Sequence, residues 1–250
     1  MAGGHEAVSG ASRLASQVLP VADLNADQAR GMYRLYHRYY AGGSHRQFSQ
    51  DLQQKDYCLL LEDGDGDIRG FTTLAISEHA IRNQRLRCLF SGDTIIHHEY
   101  WGEQTLPRAW CQLAGQIKAQ EPTLPLYWLL IVKGHRTYRY LKVFSRQYFP
   151  AAQQQTPPGI KTIMETLAKD RFGQCYDTDT GVIRFPESRG YLRPEWAALD
   201  NNKKHKPEVA FFLQKNPGHG RGDELVCLTE LDEHNLKRQA LQAFRRGLST

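Results

Sequence analysis

Several things are scarce in this chain, and each scarcity removes a class of protein. Its 250 residues hold five cysteines, Cys58, Cys88, Cys111, Cys175 and Cys227. The count is odd and none sits in a C-x-x-C pair, so neither a disulfide framework nor a zinc framework is encoded. No apolar run approaches the ~18 residues that a membrane-spanning helix requires. The longest, Leu124 to Val132, is broken by Pro125. Met1 to Gln17 lack both the basic and the apolar segments of a secretory signal. With scattered free thiols, the expectation is a cytoplasmic protein. The G-x-S-x-G, H-E-x-x-H and dinucleotide fingerprints are missing, and no internal repeat is visible. Charge of one sign is also modest. Lys and Arg number 32 against 27 Asp and Glu, a net charge of +5. These cations are spread rather than massed, so a nucleic-acid partner is not demanded; an acidic carrier protein or a phosphorylated cofactor suits the same charge.

What is present is ordinary globular composition, 40% hydrophobic and 24% charged, with a mean hydropathy of -0.58. That is enough apolar material for one sizeable core. Residues 1–18 read as a flexible tail, and 19–250 as a single domain. Asn25 and Gln28 form a helix-start pair, and Ala29, Met32, Tyr36 and Tyr39 follow at helical spacing up to Tyr40. Ser44 caps a second helix that points Phe48 and Leu52 inward. Residues 56–77 read as a hairpin turning at Asp63-Gly64-Asp65-Gly66-Asp67. Leu86 to His97 is a third strand. Thr105 and Pro107 start a helix whose Trp110, Leu113, Ala114 and Ile117 share one face. Leu126 to Val132 is a continuous apolar run, as in a central strand buried on both faces. The spacing then predicts a helix over Thr137 to Tyr148, ended by Pro150. Residues 151–206 are loop-like around one helix, Ile160 to Lys169, and read as an insertion on the core. Val209 to Leu213 and Leu225 to Leu228 read as a second hairpin with a Gly-rich loop. A polar helix, Glu233 to Arg246, closes the chain.

Three eye-catching clusters reduce to local structure. Asp63, Asp65 and Asp67 mimic a calcium loop, but the twelfth position is Leu74 and Gly66 is displaced, so a hairpin turn is the better reading. Gly218-His219-Gly220-Arg221-Gly222 lacks a Lys-Ser/Thr partner and opens no helix, which suits a flexible loop rather than a phosphate cradle. His97, His98 and Glu99 are adjacent at a strand end and point apart, so they make a poor metal site.

Leu89 to Trp110, reading LFSGDTIIHHEYWGEQTLPRAW, runs strand, turn, helix. A helix start after a strand presents free N–H groups and partial positive charge, a geometry that cradles pyrophosphate. This segment resembles the GCN5-related N-acetyltransferase (GNAT) superfamily, with Tyr100-Trp101-Gly102 at the family's turn between its fourth strand and the following helix. The order of elements over about 20–150 and 207–230 agrees as well. The chain departs from the family where Trp101 replaces a cation and Gln104 and Leu106 stand at later glycine positions. Relatives with weakened loops include acyl-homoserine lactone synthases and long-chain N-acyl amino acid synthases.

The resemblance implies an α/β (α+β) fold with a mixed central sheet, splayed fourth and fifth strands, flanking helices and an insertion before the C-terminal hairpin. It implies an N-acyltransferase that moves an acyl group from a thioester to an amine by direct attack. The donor is acyl-CoA or an acyl-phosphopantetheine on acyl carrier protein, used as a co-substrate, and no cofactor is tightly bound. The acceptor is an amine-bearing small molecule. Donor contacts fall on Ile95, Ile96, Trp101, Gly102, Gln104, Thr105 and Lys133. A strand bulge near Ile95 to His97 would supply the backbone N–H that polarises the carbonyl. Asp93, His97, His98 and Glu99 are candidates to take the amine proton, and Tyr138 or Tyr140 to protonate the thiolate. Tyr33, Tyr36, Tyr39 and Tyr40 would line the acyl or acceptor side. Arg82, Arg85 and Arg87 would engage an acidic carrier, against the simpler reading of a solvated face. Two rivals stand beside this: a GNAT-like binding module without turnover, and a basic nucleic-acid-binding protein led by Lys203, Lys204, His205 and Lys206, the less favoured of the two.

Overall fold

A computed structural model describes residues 13–197 and 206–250. Helix α1, Ala26–Tyr39, begins where Asn25 accepts from the Gln28 N–H while the Gln28 side chain accepts from the Asn25 N–H. The same reciprocal cap, Ser44 with Gln47, starts α2, His45–Leu52. Each cap satisfies two N–H groups that the helix leaves unpaired. Both helices bury their apolar stripe, Met32, Leu35, Tyr36 and Tyr39 on α1 and Phe48 and Leu52 on α2, on one face of the sheet.

That sheet has eight strands in the order β1-β3-β4-β5-β6-β10-β8-β7. The strands are β1 Ala15–Pro20, β3 Tyr57–Glu62, β4 Ile68–Ile81, β5 Gln84–Ile96, β6 Leu126–Val132, β7 Tyr176–Asp177, β8 Val182–Ile183 and β10 Glu224–Glu230. All neighbours are antiparallel except β5 and β6, which are parallel. A two-stranded ribbon, β2 Tyr40–Ala41 with β9 Tyr191–Leu192, ties the end of α1 to the segment expected as an insertion and is followed by the short helix α6, Pro194–Ala197. The turn at Asp63 is spent internally. Its carboxylate accepts from the N–H of Asp65 and Asp67 and from Arg69.

The opposite face carries α3, Thr105–Gln120, α4, His135–Phe144, and α8, Arg238–Leu248, around Trp110, Trp128, Leu141, Phe144 and Phe244. Helix α5, Pro158–Phe172, covers the first face over Cys88, Tyr127, Leu129 and Val226. Strand β6 sends Tyr127 and Leu129 to α5 and Trp128 and Leu130 to α3 and α4, which explains its unbroken apolar sequence.

Four expectations need correction. Residues 15–18 of the expected tail belong to β1, an edge strand with mostly exposed side chains. Its backbone ladder to β3 holds it, so hydrophobicity gave no signal. Residues 1–12 lie outside the described residues. Val209 to Leu213 is not a strand but the middle of helix α7, Pro207–Lys215, with Pro207 in its first turn and Val209 and Phe212 buried. A short apolar run does not distinguish a buried strand from a helix. The antiparallel partners of β10 are instead β6 and β8, so there is no C-terminal hairpin, and the Gly-rich loop joins α7 to β10. Finally, α4 stops at Phe144 rather than Tyr148, because Ser145 and Phe149 form bridges to Leu236 and Leu228.

Candidate active site

The site begins where β5 leaves β6. The two strands pair from Arg87 with Leu126 to Ser91 with Leu130, and there the pairing ends. Strand β5 continues to Ile96 along β4, while Ile131 and Val132 pair only with β10. The indole N–H of Trp128 donates to Ser91 Oγ at 2.9 Å and pins the crotch. The parting therefore starts several residues before the strand ends at Ile96 and Val132.

A bulge sits at the same place. Leu74 faces Ser91 and Thr72 faces Thr94, so Gly92 and Asp93 together oppose Thr73. This is earlier than the expected Ile95 to His97. The extra residue changes which face later side chains take, and Phe90 and Ile95, five apart, both lie on the face of α5, α1 and α2. Gly92 is needed there, since a Cβ would come within 2.5 Å of Thr73 Oγ1 and 2.7 Å of Lys55 Cε. At the far end, His97 N–H donates to Arg69 O. Hydrogen-bonding direction alternates along an antiparallel strand, so the N–H groups of Ile96 and Thr94 face the gap.

Three spaces meet at this gap. A narrow apolar slot of about 40 Å³ lies between α3 and α4, walled by Leu106, Trp110, Trp128, Tyr140 and Phe144. A wide polar cavity of about 1010 Å³ opens on the other face among α1, α2 and α5. Gly92, Thr94, Ile131 and Thr137 border both. A third space, about 250 Å³, forms a mouth bordered by Ile95, Ile96, Trp101, Lys133, Tyr140 and Trp196. Thr137 borders all three.

Of the expected proton acceptors, Asp93 faces the wide cavity. Burial and the nearby Asp51 carboxylate push its pKa up to about 6, against the pull of Lys133 and Lys55. His97 is buried, its Nδ1 3.6 Å from Glu99 and without a hydrogen bond among the described residues. Burial, then the neighbouring His98 and Arg38, lower its pKa. His97, His98 and Glu99 border none of the three spaces. His98 instead pairs its Nδ1 with the Tyr39 hydroxyl at 3.0 Å and stacks on Trp196. Tyr138 is wholly buried, donates to Pro150 O at 2.8 Å and packs on Phe211 and Phe212, away from the gap. Tyr140, two residues on, borders the slot and the mouth.

Among the tyrosines, Tyr36 and Tyr40 stack 5.0 Å apart and border the wide cavity, while Tyr33 packs on His45 and Phe48. Burial foremost raises the pKa of both Tyr36 and Tyr40, and Asp93 adds to it. Sequence reading missed Glu224, a buried carboxylate at the start of β10 whose Oε1 lies 3.4 Å from Lys133 Nζ. Burial raises its pKa and Lys133 opposes the rise. It missed Arg171 as well, whose guanidinium lies 3.8 Å from the Phe90 ring centre. Nothing in the local sequence marks either, because each is brought in from a distant element.

The helix start expected to bind phosphate is lean in donors. Trp101 folds back to donate its indole N–H to Ile96 O at 2.9 Å, and Gly102 turns the chain at φ 101°. Gln104 spends its amide on Gly102 O and Thr105 opens α3, but Pro107 in the first turn has no N–H to offer. Gly102, Gln104 and Thr105 border none of the three spaces. Arg13 ties this loop down through Glu103 at 3.0 Å and Glu99 O at 2.8 Å.

Arg85 and Arg87 stand at the start of β5 and Arg82 in the turn before it, about 13 to 30 Å from the parting at Ser91 by strand rise. Arg85 pairs with Glu78, Arg82 with Thr162, and the buried Arg87 braces Ile117 O and Gln120. They form no common patch, so carrier docking there loses its basis. Lys203, Lys204 and His205 lie outside the described residues. Among the described residues no helix is long and apolar enough to cross a membrane.

No protein-family model and no curated protein matches the chain. Solved structures similar to it include a GNAT family N-acetyltransferase from Escherichia coli in complex with CoA, at 15% identity over 56% of this chain and 72% of that one, TM-score 0.38. Glucosamine-6-phosphate N-acetyltransferase from Arabidopsis thaliana is similar at 12% identity over 59% and 99%, TM-score 0.38. An acetyltransferase from Trypanosoma brucei is similar at 16% identity over 58% and 97%, TM-score 0.37.

Proposed function

We propose that the protein is an N-acyltransferase that moves a small acyl group from coenzyme A to the amine of a small molecule. One observation carries this reading. Two parallel strands part at Ser91 and Leu130, and the gap joins a narrow apolar slot to a wide polar cavity with a carboxylate, Asp93, at its edge. A thioester arm entering from the slot side meets an amine held on the cavity side.

The chemistry follows from what borders the gap. Ionised Asp93 takes a proton from the acceptor ammonium, leaving a free amine. The nitrogen lone pair attacks the thioester carbonyl carbon, forming the C–N bond. One of the gap-facing N–H groups, that of Thr94 or that of Ile96, donates to the oxygen that becomes negative, because the two lie about 6.6 Å apart along the strand and one oxygen can take only one of them. As the tetrahedral intermediate collapses the C–S bond breaks, and the thiolate takes a proton through the Tyr140 hydroxyl, which is replenished from the acylated nitrogen. The products are amide, free thiol and one proton on Asp93, which returns to solvent. A base near pKa 6 suits this step, being ionised at neutral pH yet more basic than an ordinary Asp. The slot of about 40 Å³, closed by Trp110, Trp128 and Phe144, favours acetyl-sized groups over long chains.

The test is incubation with acetyl-CoA and a broad amine panel, following free thiol and amide mass together. Equal appearance of both supports the reading. Absence of thiol release from acetyl-, butyryl- and octanoyl-CoA across the panel overturns it. The lean start of α3, with Trp101 and Pro107, favours a second reading, a module that binds a thioester without consuming it. A CoA-dependent rise in melting temperature without thiol release would choose that reading instead.

A further inference from the structure

The charges that face the wide cavity are nearly all committed. Lys133 pairs with Glu224, and Asp51 pairs with Lys55. Glu187 and Arg189 are exposed at the rim, Arg189 lying over the Phe185 ring. Two opposite charges are left. Among the described residues, neither the Asp93 nor the Arg171 side chain makes a hydrogen bond or an ion pair, although both residues border the same cavity. Arg171 stands in the last turn of α5, its guanidinium carbon over the Phe90 ring rather than beside a carboxylate. Phe90 and Asp93 are three residues apart on β5, at most about 10 Å along a strand that the bulge shortens here. The two charges are thus placed to hold opposite ends of one small molecule rather than each other.

We propose that the acceptor carries an anionic group, a carboxylate or phosphate, in addition to its amine, and that Arg171 receives that group while Asp93 receives the amine. An uncommitted guanidinium presents a planar fork of donors that matches either anion in a bidentate manner. A neutral amine would leave Arg171 unpaired in the cavity, and a simple anion would leave Asp93 so. The inference rests on the transferase reading for what the ligand is used for, but its binding geometry stands independently of turnover.

The experiment titrates the full-length protein by calorimetry with pairs of ligands that differ only in the anion. The pairs are the common L-amino acids with their decarboxylated amines, and O-phosphoethanolamine with ethanolamine. The same series is run on Arg171→Met, which keeps the stem against Phe90, and on Arg171→Lys, with melting temperatures to confirm folding. The expected result is at least one zwitterion that binds tenfold or more tightly than its partner amine. That preference should be lost in Arg171→Met and partly restored in Arg171→Lys. The carboxylate and phosphate arms tell the two anions apart. The proposal is overturned if no zwitterion outbinds its amine, or if the preference survives in folded Arg171→Met. Thiol release measured beside the titrations separates the two ideas. Arg171-dependent binding without release keeps the subsite and removes the transferase, while release with equal use of amines and zwitterions does the reverse.

Discussion

On the face covered by α3 and α4, the gap opens onto about 40 Å³ walled by aromatic and aliphatic side chains. On the face covered by α1, α2 and α5, the same four border residues open onto about 1010 Å³ that contains Asp51, Asp93, Lys133, Arg171 and Glu224. One side is a fitted apolar slot and the other a charged basin. The contrast assigns roles. A slot without charge has nothing to steer a polar acceptor, yet suits an apolar arm and a short acyl group. The basin has charges of both signs and space for a polar molecule to turn. It also separates costs, because opening the slot must displace packed rings, whereas filling the basin replaces water.

The largest break in this comparison comes from Asp93→Asn. Removing the base on the basin side should lower thiol release by about 10²–10⁴-fold, with acetyl-CoA affinity within a factor of two of the wild type. In the wild type, kcat/KM should rise with pH through about 6, as Asp93 becomes ionised. That limb should vanish in the variant. A strong loss of CoA binding instead would mean that Asp93 serves the slot.

Thr137→Phe acts on both sides, because Thr137 borders all three spaces. It should plug the gap and reduce turnover with acetyl-CoA at least tenfold, with a larger penalty for butyryl-CoA. An unchanged rate would show that the donor enters elsewhere.

A paired substitution sharpens the slot side. Tyr140→Phe should lower kcat about tenfold while leaving the melting temperature within a degree or two. Tyr138→Phe should leave kcat alone and cost about 1 kcal/mol by orphaning the Pro150 carbonyl that its hydroxyl satisfies. In a chain of this size that is a shift of about 2–4 °C. The reverse pattern would return the acid role to Tyr138.

These cases show what the sequence carries. The slot side is built from periodic apolar residues, and Trp110, Leu113, Ala114 and Ile117 announce their helix face directly. The unbroken run of β6 likewise predicts a strand buried twice, and Asn25 and Ser44 mark their helices by cap chemistry. Even Tyr138 had a usable signal, since Leu141 at i+3 places it on the core face and puts Tyr140 elsewhere. The basin side is different. Asp93, Arg171 and Glu224 come from β5, α5 and β10, and no periodicity links a charge to a cavity formed only when those elements meet. The bulge was foreseeable in kind but not in place, because a single glycine in a strand has several uses. Val209 to Leu213 in helix α7 reads as a strand because five apolar residues in a row fit either form.

The smallest effect tests the basin through stability. Asp93 has a folded-state pKa raised above that of the unfolded chain, so the native state holds this proton more tightly. The stability it contributes is present at pH 4, where the folded-state carboxyl is protonated, and is lost as pH rises through about 6. Asp93→Asn removes that loss while keeping the shape. The melting temperature of the variant minus that of the wild type should therefore climb between about pH 4 and pH 7 and level off above, by a few degrees at most, since the carboxyl is partly open to water in the cavity. A buried neighbour can give the same trend, because the Glu224 pKa is raised too. Glu224→Gln should therefore raise the melting temperature at pH 8 as well, with the gain reduced because the Lys133 ammonium that Glu224 faces at 3.4 Å loses its partner. The double variant separates the two sites. Changes that add at pH 8 would mean that Asp93 ionises on its own, and changes that fall short of the sum would mean that the basin carboxylates act as one unit.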